Sequence, residues 1–237
     1  MKMKLFLIGT IAAGIFANWP AEADYSDHYM WNGKSWIAKS TSGLEHIIQN
    51  GDEITFNFLT DRCLEDIHKD CYYKKLRSQL GEKYGSGEYN NKSVRYTFSV
   101  KKEKRHGANM KLWELKPFGG NTWTVPTIAI TQDWININHI NGHGHEGMVS
   151  RDYNFPHGVW NHFIVDTKQS PNDDGYVVVK MNGEIVFNYR GKTTWNHRFS
   201  NDYIFGPYIC CGNQSPNEPN HKLAYKNITK YVHEAFM

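Results

Sequence analysis

An all-β chain folded as a two-sheet antiparallel β-sandwich is what this sequence predicts. Short runs of alternating or β-branched residues recur along the chain, each bounded by Gly, Pro, Asn or Asp. Helix-period patterns are nearly absent. The stretch Val159 to Tyr189 reads as a meander. A strand-type run containing Phe163 and Val165 breaks at Ser170-Pro171-Asn172-Asp173-Asp174-Gly175, and Tyr176 to Met181 follows, almost all β-branched or aromatic. Asn182-Gly183 then supplies a hairpin turn, because a type I′ turn needs positive φ at both central residues. Beyond it Ile185, Phe187 and Tyr189 alternate with Val186 and Asn188. Such a meander has one apolar face and needs a second layer to cover it.

The other elements follow in chain order. Tyr25 to Lys39, with Tyr29, Trp31 and Trp36 around Asn32-Gly33, predicts a short hairpin or an arm on the body. Leu44 to Gln49 suits a strand or one helical turn, and Asp52 to Leu59 alternates as a strand with Ile54, Phe56 and Phe58 on one face. The charged stretch Asp61 to Lys75 is the place for one short helix. In Leu76 to Leu80 the period of two puts Leu76, Ser78 and Leu80 on one side and Arg77 and Gln79 on the other. Gly81 to Asn91 is a turn-rich loop, and Val94 to Val100 alternates without fault. Strands are expected at Asn109 to Lys116 and Val125 to Thr131, around a Pro117-Phe118-Gly119-Gly120 break. Asp133 to His157 reads as one long loop rich in Gly, Asn and His, a length that usually signals function. Asp202 to Cys211 and Leu223 to Tyr231 close the series.

Residues 1–23 have the make-up of an export signal: Lys2 and Lys4, an apolar Leu5 to Ala17 too short to span a bilayer comfortably, and an Ala21-Glu22-Ala23 cleavage site. The mature protein, 24–237, is then one domain, secreted or periplasmic, with no membrane attachment after cleavage. A monomer is expected. The formal charge is only +3, so bulk charge does not point to nucleic acid. Export permits disulfides among Cys63, Cys71, Cys210 and Cys211, whose three possible pairings stay open. No C-x-x-C is present, which excludes a zinc ribbon or thioredoxin-type motif.

Strand alternation gathers polar residues on one sheet face. They are Arg77 and Gln79, then Glu114 and Lys116 opposite Trp113 and Leu115, then Tyr208 with Gly206 beside it. Gly206 leaves room for a close approach. Arg, amide, Lys and Tyr, flanked by aromatics, are what an acidic sugar chain requires. His139, His143, His145 and His157 crowd the long loop. An imidazole there is a natural proton acceptor. His143-Gly144-His145-Glu146 lacks an evident third ligand, so no metal is assigned.

From Asp61 to Tyr231 the chain resembles the jelly-roll, concanavalin A-like polysaccharide lyases of the heparin lyase I and glucuronan or alginate lyase type. Arg77-Ser78-Gln79-Leu80 is similar to the family's R-S-E-L strand, and Gly206-Pro207-Tyr208 to its G-x-Y strand. Trp160-Asn161-His162-Phe163, the meander through Gly191 and Tyr225-Lys226-Asn227-Ile228 match in order. The resemblance implies β-elimination on an acidic polysaccharide. Arg77 and Gln79 would bind the uronate carboxylate, and Tyr208 would protonate the leaving oxygen. Tyr208, His143 or His145 would take the C5 proton. No cofactor is required by these residues, although the likeness to heparin lyase I leaves room for calcium. Family members commonly carry Q-x-H or Q-x-K on the third strand, where this chain has Glu114-Leu115-Lys116. A carboxylate there repels an anionic substrate unless it is protonated or paired with Lys116 or Arg77. A non-catalytic carbohydrate-binding sandwich is the alternative. A glycoside hydrolase ranks last, because no E-x-D-x-x-E strand is present.

Overall fold

The computed structural model describes residues 27–40, 44–59, 76–82, 92–107, 109–117, 127–138, 149–150, 153–193, 201–209 and 220–233. The export segment, the four cysteines, the 61–75 stretch and His139, His143 and His145 lie outside them. The described residues form two antiparallel sheets. The first has eight strands in the order β1-β2-β5-β14-β7-β8-β9-β10, the second seven in the order β13-β12-β11-β6-β15-β4-β3. Their ranges are β1 Asp27–Trp31, β2 Lys34–Ser40, β3 Ile47–Asn50, β4 Glu53–Phe58, β5 Leu76–Gly81, β6 Ser93–Lys102, β7 Lys111–Pro117, β8 Thr127–Thr131, β9 Ile135–Asn138, β10 Val149–Ser150, β11 Trp160–Lys168, β12 Tyr176–Met181, β13 Glu184–Arg190, β14 Asn201–Ile209 and β15 His221–His233. Among the described residues no helix is long and apolar enough to cross a membrane.

The hairpins form where turn chemistry demands. Asn32-Gly33 joins β1 to β2 with φ of 49° and 69°, and Asn182-Gly183 joins β12 to β13 with 53° and 93°. Positive φ at both positions is the type I′ geometry that matches strand twist. Leu44 to Gln49 resolves into both readings, a 3-10 turn at Leu44–His46 and then β3. The long polar loop is shorter than expected. Its segment Ile135-Asn136-Ile137-Asn138 forms β9, with both isoleucines fully buried. Four alternating residues are a short signal among so many polar neighbours.

The core lies between the sheets and is rich in aromatic rings set among aliphatic side chains. Phe98 of β6 stacks on Trp113 of β7 at 6.1 Å between centroids, and Tyr96 on Tyr203 of β14 at 4.9 Å. Phe56 of β4 meets Phe205 edge-on at 6.0 Å. One hydrogen bond also crosses this core: Tyr225 of β15 donates from its hydroxyl to the Leu112 carbonyl of β7 at 3.0 Å. Burial pushes the Tyr225 phenol far above its ordinary pKa, so it stays a neutral donor. Leu112 sits where β7 gains a residue relative to β8. Tyr225→Phe therefore leaves a buried carbonyl without this donor at a bulge. The expected cost is about 1–3 kcal/mol of unfolding free energy, read from urea denaturation.

Candidate active site

The site begins with strand alternation in β5. Leu76, Ser78 and Leu80 are buried toward the second sheet, and the Ser78 hydroxyl bonds Ser40 inside at 3.2 Å. Arg77 and Gln79 therefore emerge on the opposite, outer face of the eight-stranded sheet. In β14, Tyr203, Phe205 and Ile209 are core residues, while Tyr208 is half-buried and directly opposite Arg77 in the ladder. The Arg77 guanidinium carbon lies 5.3 Å from the centre of the Tyr208 ring. Arg77, Gln79 and Tyr208 share one face, as alternation requires.

The third strand adds a residue that alternation hides. Lys111 lies three positions before Glu114, which in a regular strand means opposite faces. Here β7 is bulged between Lys111 and Trp113, so Leu112 and Trp113 both enter the core. The extra residue returns Lys111 to the outer face. Its ammonium lies 5.2 Å from the Tyr208 ring centre and 2.7 Å from Glu114 Oε2. Lys111 also pairs with Tyr208 in the ladder. One row across three strands thus reads Arg77, Tyr208, Lys111, with the phenol between two cations.

Glu114 is the carboxylate that the sequence sets against anion binding, and in the structure it is paired with a cation. Its carboxylate accepts from Lys111 and, at 3.5 Å, from Gln79 Nε2. Gln79 and Glu114 belong to β5 and β7, the two neighbours of β14. The two side chains meet over β14. Gln79 is 4% exposed and Glu114 3%, although both stand on the outer face. Both side chains are thus shielded from solvent. Lys111 is a cation that the fold brings to Glu114 and that period-two alternation hides. Lys116 lies in β7 opposite Asp202, with its side chain outside the described residues.

Lys39 also joins the site. It follows the core residue Ala38 in β2, is half-buried, and faces Gln79 across the β2–β5 ladder. His157 does not join it. Its ring packs on Phe155 at 5.6 Å, and its pKa is lowered by burial and by Lys102 and Arg105. Those neighbours lie off the Arg77–Tyr208–Lys111 row. The expected role of Gly206 also changes. With φ of +113°, a Cβ there would stand 2.3 Å from the Ser78 carbonyl oxygen. The close approach is made by the β5 backbone. Among the described residues no three His, Cys, Asp or Glu side chains are grouped to hold a cation.

The Lys111–Glu114 pair predicts a measurable coupling. Lys111→Met leaves a nearly buried carboxylate with one donor fewer, at an expected cost of about 1–3 kcal/mol. Adding Glu114→Gln to that variant is expected to restore most of the loss. A double-mutant cycle by urea denaturation reads the coupling directly.

Comparison with known proteins bears on the family and the fold. Residues 43–221 match the family model described as polysaccharide lyase. The chain belongs to the polysaccharide lyase family. No curated protein matches the sequence. The lyase fold is also found in an endo-β-1,4-glucuronan lyase from the fungus Trichoderma reesei, with 11% identity and a TM-score of 0.55 over 85% of this chain and 89% of that one. It is found again in the alginate lyase Aly36B, with 13% identity and a TM-score of 0.53 over 90% and 88%. The family 7 alginate lyase A1-II′ in complex with substrate gives 12% identity and a TM-score of 0.55 over 81% and 84%. At these identities the likeness establishes the jelly-roll fold. The lyase activity class rests on the family match.

Proposed function

We propose that this lyase cleaves a uronate-containing polysaccharide by β-elimination on the outer face of its eight-stranded sheet. The observation that carries the reading is the Tyr208 phenol held between Arg77 and Lys111, beside the Gln79–Glu114 contact. The similarity to solved lyases of alginate and glucuronan, both acidic glycans, supports the substrate class. Residues 1–23 act as an export signal and 24–237 as the single catalytic domain, working in the periplasm or outside the cell.

The chemistry follows from the charges. The C5 proton of a uronate is weakly acidic until its carboxylate is neutralised. Arg77 offers a planar, permanently charged fork for that carboxylate, and Gln79 an amide donor. Both then stabilise the enolate-like charge that grows as the C5–H bond breaks, electrostatic work of the oxyanion-hole kind. The electron pair forms the C4–C5 double bond and expels O4. Tyr208 donates its proton to that oxygen, and the charge left on the phenol faces two cations. Glu114 keeps Lys111 beside the ring and, because Lys111 balances it, does not repel the substrate. The C5 proton goes to His143 or His145 if Tyr208 starts as the neutral phenol; if Tyr208 starts as the phenolate, it takes the C5 proton itself and passes it on to O4. Replacing both histidines by alanine separates them: retained turnover assigns the base to Tyr208.

The test is to incubate the mature protein with polyuronates and with a neutral glucan, following the ultraviolet band of the new conjugated double bond. Absorbance should grow with polyuronate alone. Retention of polyuronate without product would mean a binding module instead.

A further inference from the structure

The seven-stranded sheet has an outer face of its own, on the far side of the core from Tyr208. Alternation in β6 places Arg95, Thr97, Ser99 and Lys101 there, since Val94, Tyr96, Phe98 and Val100 are core. In β11 the same face holds Trp160, His162 and Ile164. In β15 it holds Lys222 and Lys226, because Leu223 and Tyr225 are core. Trp160 stands opposite Lys101 in the ladder, and Lys226 stands opposite Ser99, whose other neighbour is His162.

The consequence is an indole set between two ammonium groups. Lys101 Nζ lies 4.9 Å and Lys226 Nζ 4.3 Å from the Trp160 ring centre. Trp160 keeps part of its surface in solvent, and His162 and Lys222 beside it are exposed. Lys180 of β12, opposite Ile164, extends the positive face. Carboxylates on this face are few. Asp166 is engaged by Arg95 at 2.6 Å, and Glu53 accepts from the Thr55 hydroxyl at 3.3 Å. Neither forms an ion pair with Lys101, Lys222 or Lys226 among the described residues. Among the described residues none of these three cations is ion-paired, and although the exposed Glu103 follows Lys101 by two residues the face carries a net positive charge.

We propose that this face is a second, non-catalytic binding site for an acidic polysaccharide, built on Trp160 between Lys101 and Lys226. The proposal rests on the reading above that the substrate is a polyanion, and charge complementarity selects this occupant. The indole offers an apolar surface for the C–H face of a sugar ring, and the ammonium groups meet its carboxylates. A second contact on the opposite face from the active site holds a long chain near the enzyme after each cleavage, by raising its effective concentration. Short oligosaccharides, engaged at the active site alone, gain nothing from it.

The test uses the full mature protein carrying Lys101→Gln and Lys226→Gln, which leave Trp160 and the core in place. Affinity electrophoresis through a polyuronate gel should show weakening by about threefold to tenfold, the scale of two exposed charge contacts. The difference should vanish at high salt. Turnover of short uronate oligosaccharides should be unchanged, while turnover of dilute polymer falls. Unchanged retardation, with loss on Arg77→Ala instead, would overturn the second site and leave the active-site reading intact. An equal fall in turnover of oligosaccharide and polymer would also overturn it. If native protein turns over no polyuronate yet retardation still depends on the two lysines, the binding site stands and the proposed reaction does not.

Discussion

Tyr208→Phe is expected to lower turnover of polyuronate by about 10³-fold while the substrate still binds. The substitution removes only the hydroxyl. The ring that Arg77 and Lys111 flank at 5.3 and 5.2 Å remains, so neither cation loses its neighbour. The uronate carboxylate would still meet Arg77 and Gln79, and the Michaelis constant should change little. A fall in kcat at constant KM marks an interaction made only in the transition state. Product absorbance under saturating substrate, with binding followed separately by calorimetry, reads both quantities. Loss of binding together with turnover would reassign Tyr208 from proton transfer to the sugar platform.

Gly206→Ala is expected to be the most damaging single-methyl change in the site. The added Cβ would stand 2.3 Å from the Ser78 carbonyl oxygen and 3.0 Å from Gln79 Cα, both backbone atoms of β5. Neither can rotate away. The φ of +113° adds a conformation that only glycine adopts readily, at about 1–3 kcal/mol. Either β14 separates from β5, carrying Tyr208 away from Arg77, or the protein fails to fold. Gly81→Ala is the control, since its Cβ would meet Ile204 Cγ1 at 3.4 Å with no positive φ. Unfolding free energies of the two variants from urea denaturation should differ by at least about 2 kcal/mol in favour of Gly81→Ala, with midpoints ordered the same way. Near-equal midpoints would mean that β5 and β14 can slide apart without cost.

The fold was legible because an antiparallel sandwich writes itself locally. Val94 to Val100 alternates cleanly, and β6 is the centre of its sheet. Asn-Gly pairs marked both type I′ hairpins. Arg77, Gln79, Glu114 and Tyr208 were legible for the same reason: period two assigns faces without knowledge of the neighbours. Lys111 was not, because its face depends on a bulge. That bulge is set by tertiary contacts, Leu112 and Trp113 entering the core together and Tyr225 reaching across to the Leu112 carbonyl. Lys39 was missed for a related reason. Its strand reads as a peripheral arm until pairing places it beside Gln79. Gly206 was legible as a special position, but its cause, a carbonyl oxygen of the adjacent strand, exists only once β5 and β14 are paired. His143, His145 and the side chain of Lys116 fall outside the described residues, so their part in the chemistry rests on the proposed mechanism.

Elimination and hydrolysis part over one atom, and that atom can be followed. Polyuronate should be digested in water enriched in heavy oxygen, and the oligosaccharides weighed by mass spectrometry. Elimination at the Arg77–Tyr208–Lys111 row predicts an unsaturated non-reducing end, fragment masses that sum to the parent without an added water, and no heavy oxygen incorporated by bond cleavage. Fragment masses that sum to the parent plus one water for every bond cleaved, with the heavy isotope at the cleaved bond, would contradict the account.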